Sequence, residues 1–190
     1  MNIDNLLKSR RTIRKFKQTP VEKELLLKYV DMARVAPSGG NLQPLKYVVV
    51  SSKEMTDKLF SLVKWAAYLA PLYSPAEDEK PVAYIVVCGD TEIKKSDYDI
   101  DAGAAIENII ISAWGDGVGS CWMGAIDRPE IKKLLNLPEH LGVLNVVALG
   151  YPAETPEEVK MGDSVKYYLN EDGVLSVPKR SMDDVIIDII

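Results

Sequence analysis

The N-terminal segment concentrates positive charge in a chain that is acidic overall. Six cations fall within residues 8–17 of a protein whose formal net charge is −5: Lys8, Arg10, Arg11, Arg14, Lys15 and Lys17. Arg10 and Arg14 are four residues apart, so on a helical turn they share one face, with the Thr12 hydroxyl between them. Two guanidinium groups and a hydroxyl suit a phosphate monoester. The alternative for this basic segment is a solvated surface.

A second candidate is the stretch APSGGNLQP at residues 36–44, which we call the glycine loop. Its glycines allow unusual backbone angles and its prolines brace both ends. The side chains of Ser38, Asn41 and Gln43 offer donors and acceptors to a flat heterocycle rich in carbonyl and N–H groups. The alternative is a helix C-cap followed by a turn.

Two further candidates lie later in the chain. Residues 115–124, GDGVGSCWMG, do not match a dinucleotide-binding loop, because no helix pattern follows the glycines. Met123 and Gly124 end a predicted strand, where a backbone N–H can approach a ligand closely. Lys179 and Arg180 follow another predicted strand and could complete a phosphate site. The alternative for this pair is a solvated surface.

The counts of histidine and cysteine exclude several kinds of site. The chain has one histidine, His140, and two cysteines, Cys88 and Cys121. These exclude a multi-histidine metal site, a four-cysteine zinc site and a disulfide framework, so we expect no metal. We predict that Cys121 is a buried structural thiol and that His140 is a surface residue without a partner. A bound cofactor is then the better source of chemistry.

The elements that would position these residues alternate between helical and strand patterns. Helices are predicted near residues 3–7, from a Thr19-Pro20 cap through 33, from 52 to about 64, and at 101–114, 129–135 and 182–190. Strands are predicted at 47–50, 82–88, 118–123 and 143–149, with weaker signals at 165–169 and 174–177. This pattern favours an α/β or α+β fold in a single domain of residues 1–190.

The helix predicted at 101–114 is apolar or small on almost every face. A helix of that kind must be buried all round, which favours a homodimer over an ordinary core helix. No stretch has the length of a signal peptide core or a membrane span, so we expect a cytoplasmic protein with no membrane contact. The acidic charge and the lack of aromatic residues among the basic ones argue against nucleic-acid binding.

Taken in order, these stretches resemble the FMN-dependent nitroreductase family. The resemblance covers nearly the whole chain: RRTIRKF (10–16), APSGGNLQP (36–44), DAGAAIENIIISAWGDGVGSCWMGA (101–125), VVALGYPAE (146–154) and KRSMDDVI (179–186). It implies an α+β fold with a mostly antiparallel central sheet flanked by helices. It also implies an intertwined homodimer that holds FMN at its interface and takes electrons from NAD(P)H.

The resemblance also implies a set of cofactor-binding residues. They are Arg10, Arg11, Thr12 and Arg14 at the FMN phosphate and ribityl chain; Pro37, Ser38, Gly39, Asn41 and Gln43 from the partner chain; Met123 and Gly124 along the isoalloxazine; and Lys179 and Arg180 at the phosphate. No catalytic side chain is expected, since solvent can supply the substrate proton. The implied reaction is ping-pong reduction of small electron-poor molecules such as nitroaromatics and quinones.

Three features depart from the family pattern. Thr12 replaces a serine and keeps its hydroxyl, whereas Leu45 replaces a tryptophan and changes a pocket wall. Residues 64–81, with Trp65 and Tyr68, are the only candidate lid. These departures leave open a different flavin chemistry, such as dehalogenation or dehydrogenation. A flavin-binding redox sensor or carrier dimer without efficient turnover is a further alternative.

Overall fold

The computed structural model describes residues 2–69 and 73–190. The helices in this part of the chain are α1 (Ile3–Ser9), α2 (Lys23–Arg34), α3 (Lys53–Phe60), α4 (Asp99–Gly115) and α5 (Arg128–Leu134). The strands are β1 (Leu45–Val50), β2 (Ala83–Asp90), β3 (Gly119–Met123), β4 (Leu141–Gly150), β5 (Glu157–Lys160), β6 (Tyr168–Leu169) and β7 (Leu175–Lys179).

The central sheet has four antiparallel strands in the order β1-β2-β4-β3. Its middle strands come from continuous apolar runs, and β2 is buried at every position because layers cover both of its faces. One face packs against α2 and α4, and the other packs against α3, α5 and residues 13–16. The antiparallel pairing confirms the α+β prediction, since βαβ units would give parallel strands.

The α4 helix lies where the apolar stretch at 101–114 predicts it, but one chain does not cover it completely. Ala105, Ile106, Ile109 and Ala113 are buried against the sheet and α2. On another side Ile111 is only half-buried and Glu107 is exposed. Within the described residues, no helix combines the length and the hydropathy needed to cross a bilayer.

A second, smaller sheet is formed by the C-terminal strands in the order β5-β7-β6. Within it β5 runs parallel to β7, and β6 runs antiparallel to β7. Leu175 and Ser176 of β7 are buried, and Leu175 packs with Ala66 and Tyr73. The polar sequence of β5, EEVK, did not predict a strand, because only Val159 in it is partly buried.

Three predicted helix limits are wrong. Thr19-Pro20 does not cap α2, which begins at Lys23 after the buried Val21. The α3 helix ends at Phe60 rather than near residue 64, because the chain turns there and Val63 pairs with Ile126. Residues 182–190 form a turn and no helix. Ile187, Ile189 and Ile190 are exposed among the described residues, and short helices are stable only when packed.

The basic segment is extended, so the helical turn predicted from Arg10 and Arg14 is wrong. After α1 ends at Ser9, the chain runs beside the main sheet. Ile13 donates to the Ser120 carbonyl at 2.9 Å, and Lys17 donates to the Tyr151 carbonyl at 2.8 Å. In an extended chain alternate residues share a side, so Arg10, Thr12 and Arg14 can still act together.

Two glycines make room for this extended segment. Gly119 of β3 and Gly150 of β4 are register partners. A Cβ on Gly119 would lie 2.7 Å from Ile13 Cγ1, and one on Gly150 would lie 2.9 Å from Phe16 Cδ1. Ile13 and Phe16 are both fully buried. The two side chains therefore hold the basic segment against the glycine pair.

Candidate functional site

Arg10 has a buried donor group that points to a binding site for an anion. It is the C-cap residue of α1 and has an extended backbone, while its own carbonyl accepts a hydrogen bond from Arg11. Arg10 Nε is buried and has no hydrogen-bond partner among the described residues. A buried guanidinium N–H without an acceptor is costly, so an anion at this place would stabilise it.

Arg11 links the basic segment to the smaller sheet. Its guanidinium forms an ion pair with Glu158 of β5. The register of β5 and β7 places Glu158 opposite Val177, and Lys160 opposite Lys179. Lys179 and Arg180 are exposed at the end of β7. The basic segment and the Lys179-Arg180 pair therefore lie on neighbouring elements. The Arg11 side chain, however, is already paired with the Glu158 carboxylate.

Arg14 is held in place through its backbone and through its side chain. The Glu154 carboxylate accepts the backbone N–H of Arg14 and, at 3.2 Å, that of Lys15. It also accepts the Tyr73 hydroxyl proton. Burial is the main cause that raises the pKa of Tyr73, and the hydrogen bond to Glu154 raises it further. The Arg14 guanidinium lies 4.6 Å from the centroid of the Tyr167 ring, a cation–π contact that leaves its N–H groups available.

The glycine loop is tied by hydrogen bonds within itself. Ser38 Oγ accepts the Gln43 backbone N–H at 3.0 Å, and Gln43 Nε2 donates to Asn41 Oδ1 at 3.1 Å. Gly40, Asn41 and Gln43 all have positive φ, of 58°, 54° and 53°. Asn41 and Gln43 are non-glycine residues with left-handed backbone angles only two positions apart. Such angles indicate stored strain, which is typical of binding sites. Pro37, Gly39, Asn41 and Gln43 are exposed and accessible to a ligand.

The end of β3 offers backbone rather than side-chain groups. The Met123 side chain is buried in the core on the α3 and α5 face, whereas Gly124 is exposed. Cys121, two positions earlier, is buried as predicted. Burial raises its pKa to about 11, so it remains a neutral thiol near pH 7. A nucleophilic role for Cys121 has no support in this geometry.

One chain does not bring the glycine loop to the basic segment. The loop precedes β1, whereas the basic segment pairs with β3, and these strands are the two edges of the main sheet. Three interstrand spacings correspond to about 14 Å. Along α4, Asp101 contacts the loop and Trp114 contacts Ser9, which corresponds to about 20 Å of helix. In one chain the two groups therefore lie at opposite edges of the main sheet.

Leu45 lies beside a cavity of about 210 Å³ behind the glycine loop. Tyr47, Asp101 and Ala105 line the same cavity. Burial raises the pKa of Tyr47 to about 12, so its hydroxyl stays protonated. A larger side chain at position 45 would therefore border this cavity.

Only part of the candidate lid lies within the described residues, because positions 70–72 fall outside them. Trp65 is buried and stacks on Phe60 with ring centroids 5.6 Å apart, so it belongs to the core. Tyr68 is exposed and its ring centroid lies 5.0 Å from that of Tyr167. Tyr68 and Tyr167 therefore extend the aromatic surface beside Arg14.

His140 has a neighbour that the sequence did not predict. Its Nδ1 lies 3.9 Å from Glu92 Oε1, and Asp90 completes a group whose ligand atoms are all within 4.8 Å of one another. The Lys46 ammonium lies 3.9 Å from Asp90 Oδ2 and partly balances its charge. This group lies at the C-terminal end of β2, where the strand ends at Asp90, and contains none of the predicted site residues.

Sequence reasoning missed three residues that shape the site: Asp101, Glu154 and Glu158. Each is an acidic residue that binds part of a predicted site residue, either a backbone N–H or a guanidinium. Glu154 ends the quoted stretch VVALGYPAE, and its place after a buried strand was the available signal. The other two find their partners only through the tertiary fold.

Comparison with known proteins agrees with this architecture. The Nitroreductase family model matches residues 7–151. A protein of Archaeoglobus fulgidus named "Putative NADH dehydrogenase/NAD(P)H nitroreductase" is 34% identical over 165 residues, which cover 83% of this chain and 90% of that protein.

Solved structures give the same result. A nitroreductase family protein from Clostridium difficile 630 aligns with a TM-score of 0.69 and 30% identity over 83% of this chain and 88% of that one. An FMN-dependent nitroreductase from Clostridium difficile R20291 aligns with a TM-score of 0.67 and 30% identity over 85% and 92%. The chain therefore belongs to the nitroreductase family.

Proposed function

We propose that this protein is an FMN-dependent NAD(P)H oxidoreductase that reduces small electron-poor acceptors, such as nitroaromatics and quinones, by a ping-pong mechanism. The names of its relatives support an NAD(P)H-linked nitroreductase, and one solved structure among them is described as FMN-dependent. When bound, FMN supplies the redox chemistry by accepting hydride from NAD(P)H and returning it to the acceptor.

The observation that carries the proposal is the buried Nε of Arg10, for which the described part of the chain offers no hydrogen-bond partner. It lies in an extended segment with Thr12 and Arg14. This segment contacts β5 through Arg11, and β5 pairs with β7, the strand that leads to Lys179 and Arg180. These groups match a phosphate monoester and a polyol chain, which need charged donors and a hydroxyl. The donor set therefore fits FMN, with Arg10, Lys179 and Arg180 at the phosphate. Arg11 joins them only if it exchanges Glu158 for the phosphate.

The other parts of the site fit the flavin ring. Arg14 carries positive charge on an aromatic support and would stabilise the negative charge that develops on the pyrimidine side of a reduced flavin. The exposed backbone at Gly124, after Met123, would approach the ring edge. Ser38, Gly39, Asn41 and Gln43, with Pro37, would contact the same ring from a second chain. No side chain is needed as an acid or base if water supplies the proton to the acceptor.

We propose a homodimer for three reasons that are independent of family. The two groups of site residues lie at opposite edges of the main sheet in one chain, whereas Arg14 and the glycine loop are both assigned to the flavin ring. An apolar groove between α1, α2 and α4 is lined by Ile3, Leu7, Met32 and Ile111. The C-terminal tail also leaves Ile187 and Ile190 fully exposed. A second copy that covers these surfaces would bury them and complete both sites.

An absorbance experiment tests the proposal. Purified protein reconstituted with FMN and freed of excess cofactor should show flavin bands, which NADH or NADPH should bleach without oxygen. Addition of nitrofurazone or a quinone should then restore the bands. Protein that retains no FMN would refute the proposed function.

The same experiment separates the alternatives. Bands that dithionite bleaches, but NADH and NADPH do not, would indicate a sensor or carrier. Rapid bleaching followed by slow reoxidation with both acceptor classes would indicate a different flavin chemistry. Size-exclusion chromatography with light scattering should give twice the chain mass of 21.1 kDa, and a monomer would refute the shared site.

A further inference from the structure

Asp101 is a buried carboxylate at the place where α4 meets the glycine loop. Its side chain is only 3% exposed. Oδ1 accepts a hydrogen bond from the backbone N–H of Gly39 at 2.8 Å, and Oδ2 accepts one from Lys94 Nζ at 2.8 Å. Each carboxylate oxygen thus has a defined partner. Breaking a buried ion pair by removing one partner is strongly destabilising, so Asp101 and Lys94 hold each other in a fixed position.

Lys94 is itself held in place. Its ammonium also donates to the Asp97 carbonyl at 2.7 Å, and its carbonyl accepts the Tyr98 hydroxyl proton. The Tyr98 ring covers Gly89, where an added Cβ would lie 2.8 Å from a ring carbon. The segment between β2 and α4 therefore presents the ammonium to Asp101 from a fixed position.

The glycine loop needs such an anchor because its own conformation is strained. Asn41 and Gln43 both adopt positive φ, which costs energy for residues with a side chain. The bonds within the loop close it on itself, but they do not attach it to the rest of the fold. The Gly39–Asp101 bond joins the exposed stretch of the loop to the N-terminal turn of α4.

From this geometry we infer that Asp101 is a positioning residue, which together with Lys94 holds the glycine loop in the shape that receives the flavin. The inference rests on the proposed function for its ligand, and on the hydrogen bonds alone for its effect on the loop. Both carboxylate oxygens of Asp101 already accept hydrogen bonds from the protein, and no contact of this carboxylate with the ligand is part of the inference. It acts through the backbone of Gly39.

The charged environment of Asp101 allows a pH test. Lys94, the Gly39 N–H and the Ser38 hydroxyl all favour the ionised form, so the pKa of Asp101 is below its usual range. Arg34 and Lys46 line the cavity on the other side, with Tyr47 as the remaining titratable group. Arg34 is paired with Asp31, and Lys46 lies nearest to Asp90. Lys94 is therefore the cation bonded directly to Asp101.

Hydrogen exchange in the protein without cofactor tests the anchor directly. Asp101→Ala should speed exchange of the amides of residues 39–43 by about tenfold or more, which corresponds to losing one bond to a charged acceptor. Asp101→Asn, which keeps an acceptor for Gly39, should lie between this variant and the wild type. Asp99→Ala is the matched control, because Asp99 is exposed in the same turn of α4. Amides of β2 and β4 should not change in any of them.

A second variant adds a readout that a purely structural role would not move. Lys94→Met removes the cation, so Asp101 should take up a proton at higher pH. Exchange at residues 39–43, corrected for its intrinsic pH dependence, should then rise between pH 7 and pH 5 in this variant only. FMN affinity should fall about tenfold in Asp101→Ala and should be unchanged in Asp99→Ala.

Each outcome decides one claim. Unchanged exchange at residues 39–43 in both Asp101 variants would overturn the inference, as would equal acceleration across β2 and β4. Wild-type protein that binds no FMN would refute the proposed function, while the exchange data would still decide the role of Asp101. Faster loop exchange with unchanged FMN affinity would show an anchor that does not serve flavin binding, and would overturn the positioning role.

Discussion

Replacing Gly119 by alanine tests whether the basic segment is held through the paired glycines of β3 and β4. The added Cβ would lie 2.7 Å from Ile13 Cγ1 and 2.8 Å from Ile13 Cβ. Carbon atoms in contact prefer about 3.5–4.0 Å, so the strand and the segment must separate by about 1 Å. Ile13 is fully buried, so its displacement requires the surrounding core to shift as well. Overpacking of this kind costs about 1–3 kcal/mol of unfolding free energy.

The same displacement should impair the proposed function. Thr12 and Arg14 flank Ile13 directly, so moving Ile13 moves their side chains relative to β3. A shift of about 1 Å in positioning groups can lower activity about 100-fold. We therefore expect Gly119→Ala to raise the FMN dissociation constant and to lower nitrofurazone reduction. Urea unfolding and fluorescence titration of FMN measure the two effects separately.

Gly142→Ala is the matched control for this prediction. Gly142 also lies in the main sheet, but a Cβ there would be 4.0 Å from the nearest neighbouring atom, the Gly89 carbonyl oxygen. The gain that alanine brings over glycine in a strand, about 0.5–1 kcal/mol, is common to both variants. The difference between them therefore isolates the contact with Ile13. Equal unfolding free energies and equal FMN affinities in the two variants would refute the docking of the basic segment on Gly119.

Three further predictions concern the site and the core. Arg10→Ala should weaken FMN binding by about 1.5–3 kcal/mol, measured by fluorescence titration, whereas Lys8→Ala in the exposed last turn of α1 should not. Leu45→Trp should partly fill the cavity behind the glycine loop and raise the unfolding free energy by about 0.5–2 kcal/mol in urea, and a loss of stability would contradict this. Because the pKa of Cys121 is raised to about 11, its thiol ionises first in the unfolded chain, so stability should fall as the pH rises above about 9 towards 11. Cys121→Ala should make this pH dependence less steep in urea unfolding at pH 8–10.5.

The main sheet and α4 could be predicted because burial alone specifies them. Continuous apolar runs predicted β2 and β4, which lie between two layers of the fold, and the alanine-rich stretch predicted α4, whose buried side packs against the sheet and α2. The pattern was weaker where a strand is exposed. β5 is polar at three of four positions and forms only because β7 pairs with it.

The basic segment shows why spacing alone can mislead. Four-residue spacing between Arg10 and Arg14 suits a helix, but residues at alternate positions of an extended chain also share a side. What decides between the two is the contact of Ile13 and Phe16 with glycines more than a hundred residues later in the chain. Sequence order does not show that contact.

The anchoring role of Asp101 was likewise hidden in an ordinary pattern. An acidic residue in the first turn of a helix is common, because it interacts favourably with the helix dipole. Its partners are Lys94, seven residues earlier, and the backbone of Gly39, sixty-two residues earlier. Every residue except proline has a backbone N–H, so the residue type at position 39 does not predict this bond, and only the fold reveals it.

The distance along α4 between the two groups of site residues has a genetic consequence. In the proposed dimer, each site takes its basic segment from one chain and its glycine loop from the other. A mixed dimer of a chain defective at Arg10 and a chain defective at Asn41 would concentrate both defects in one site and leave the other site intact. Random pairing of the two defective chains would restore about a quarter of all sites, so two inactive alleles expressed together would complement each other.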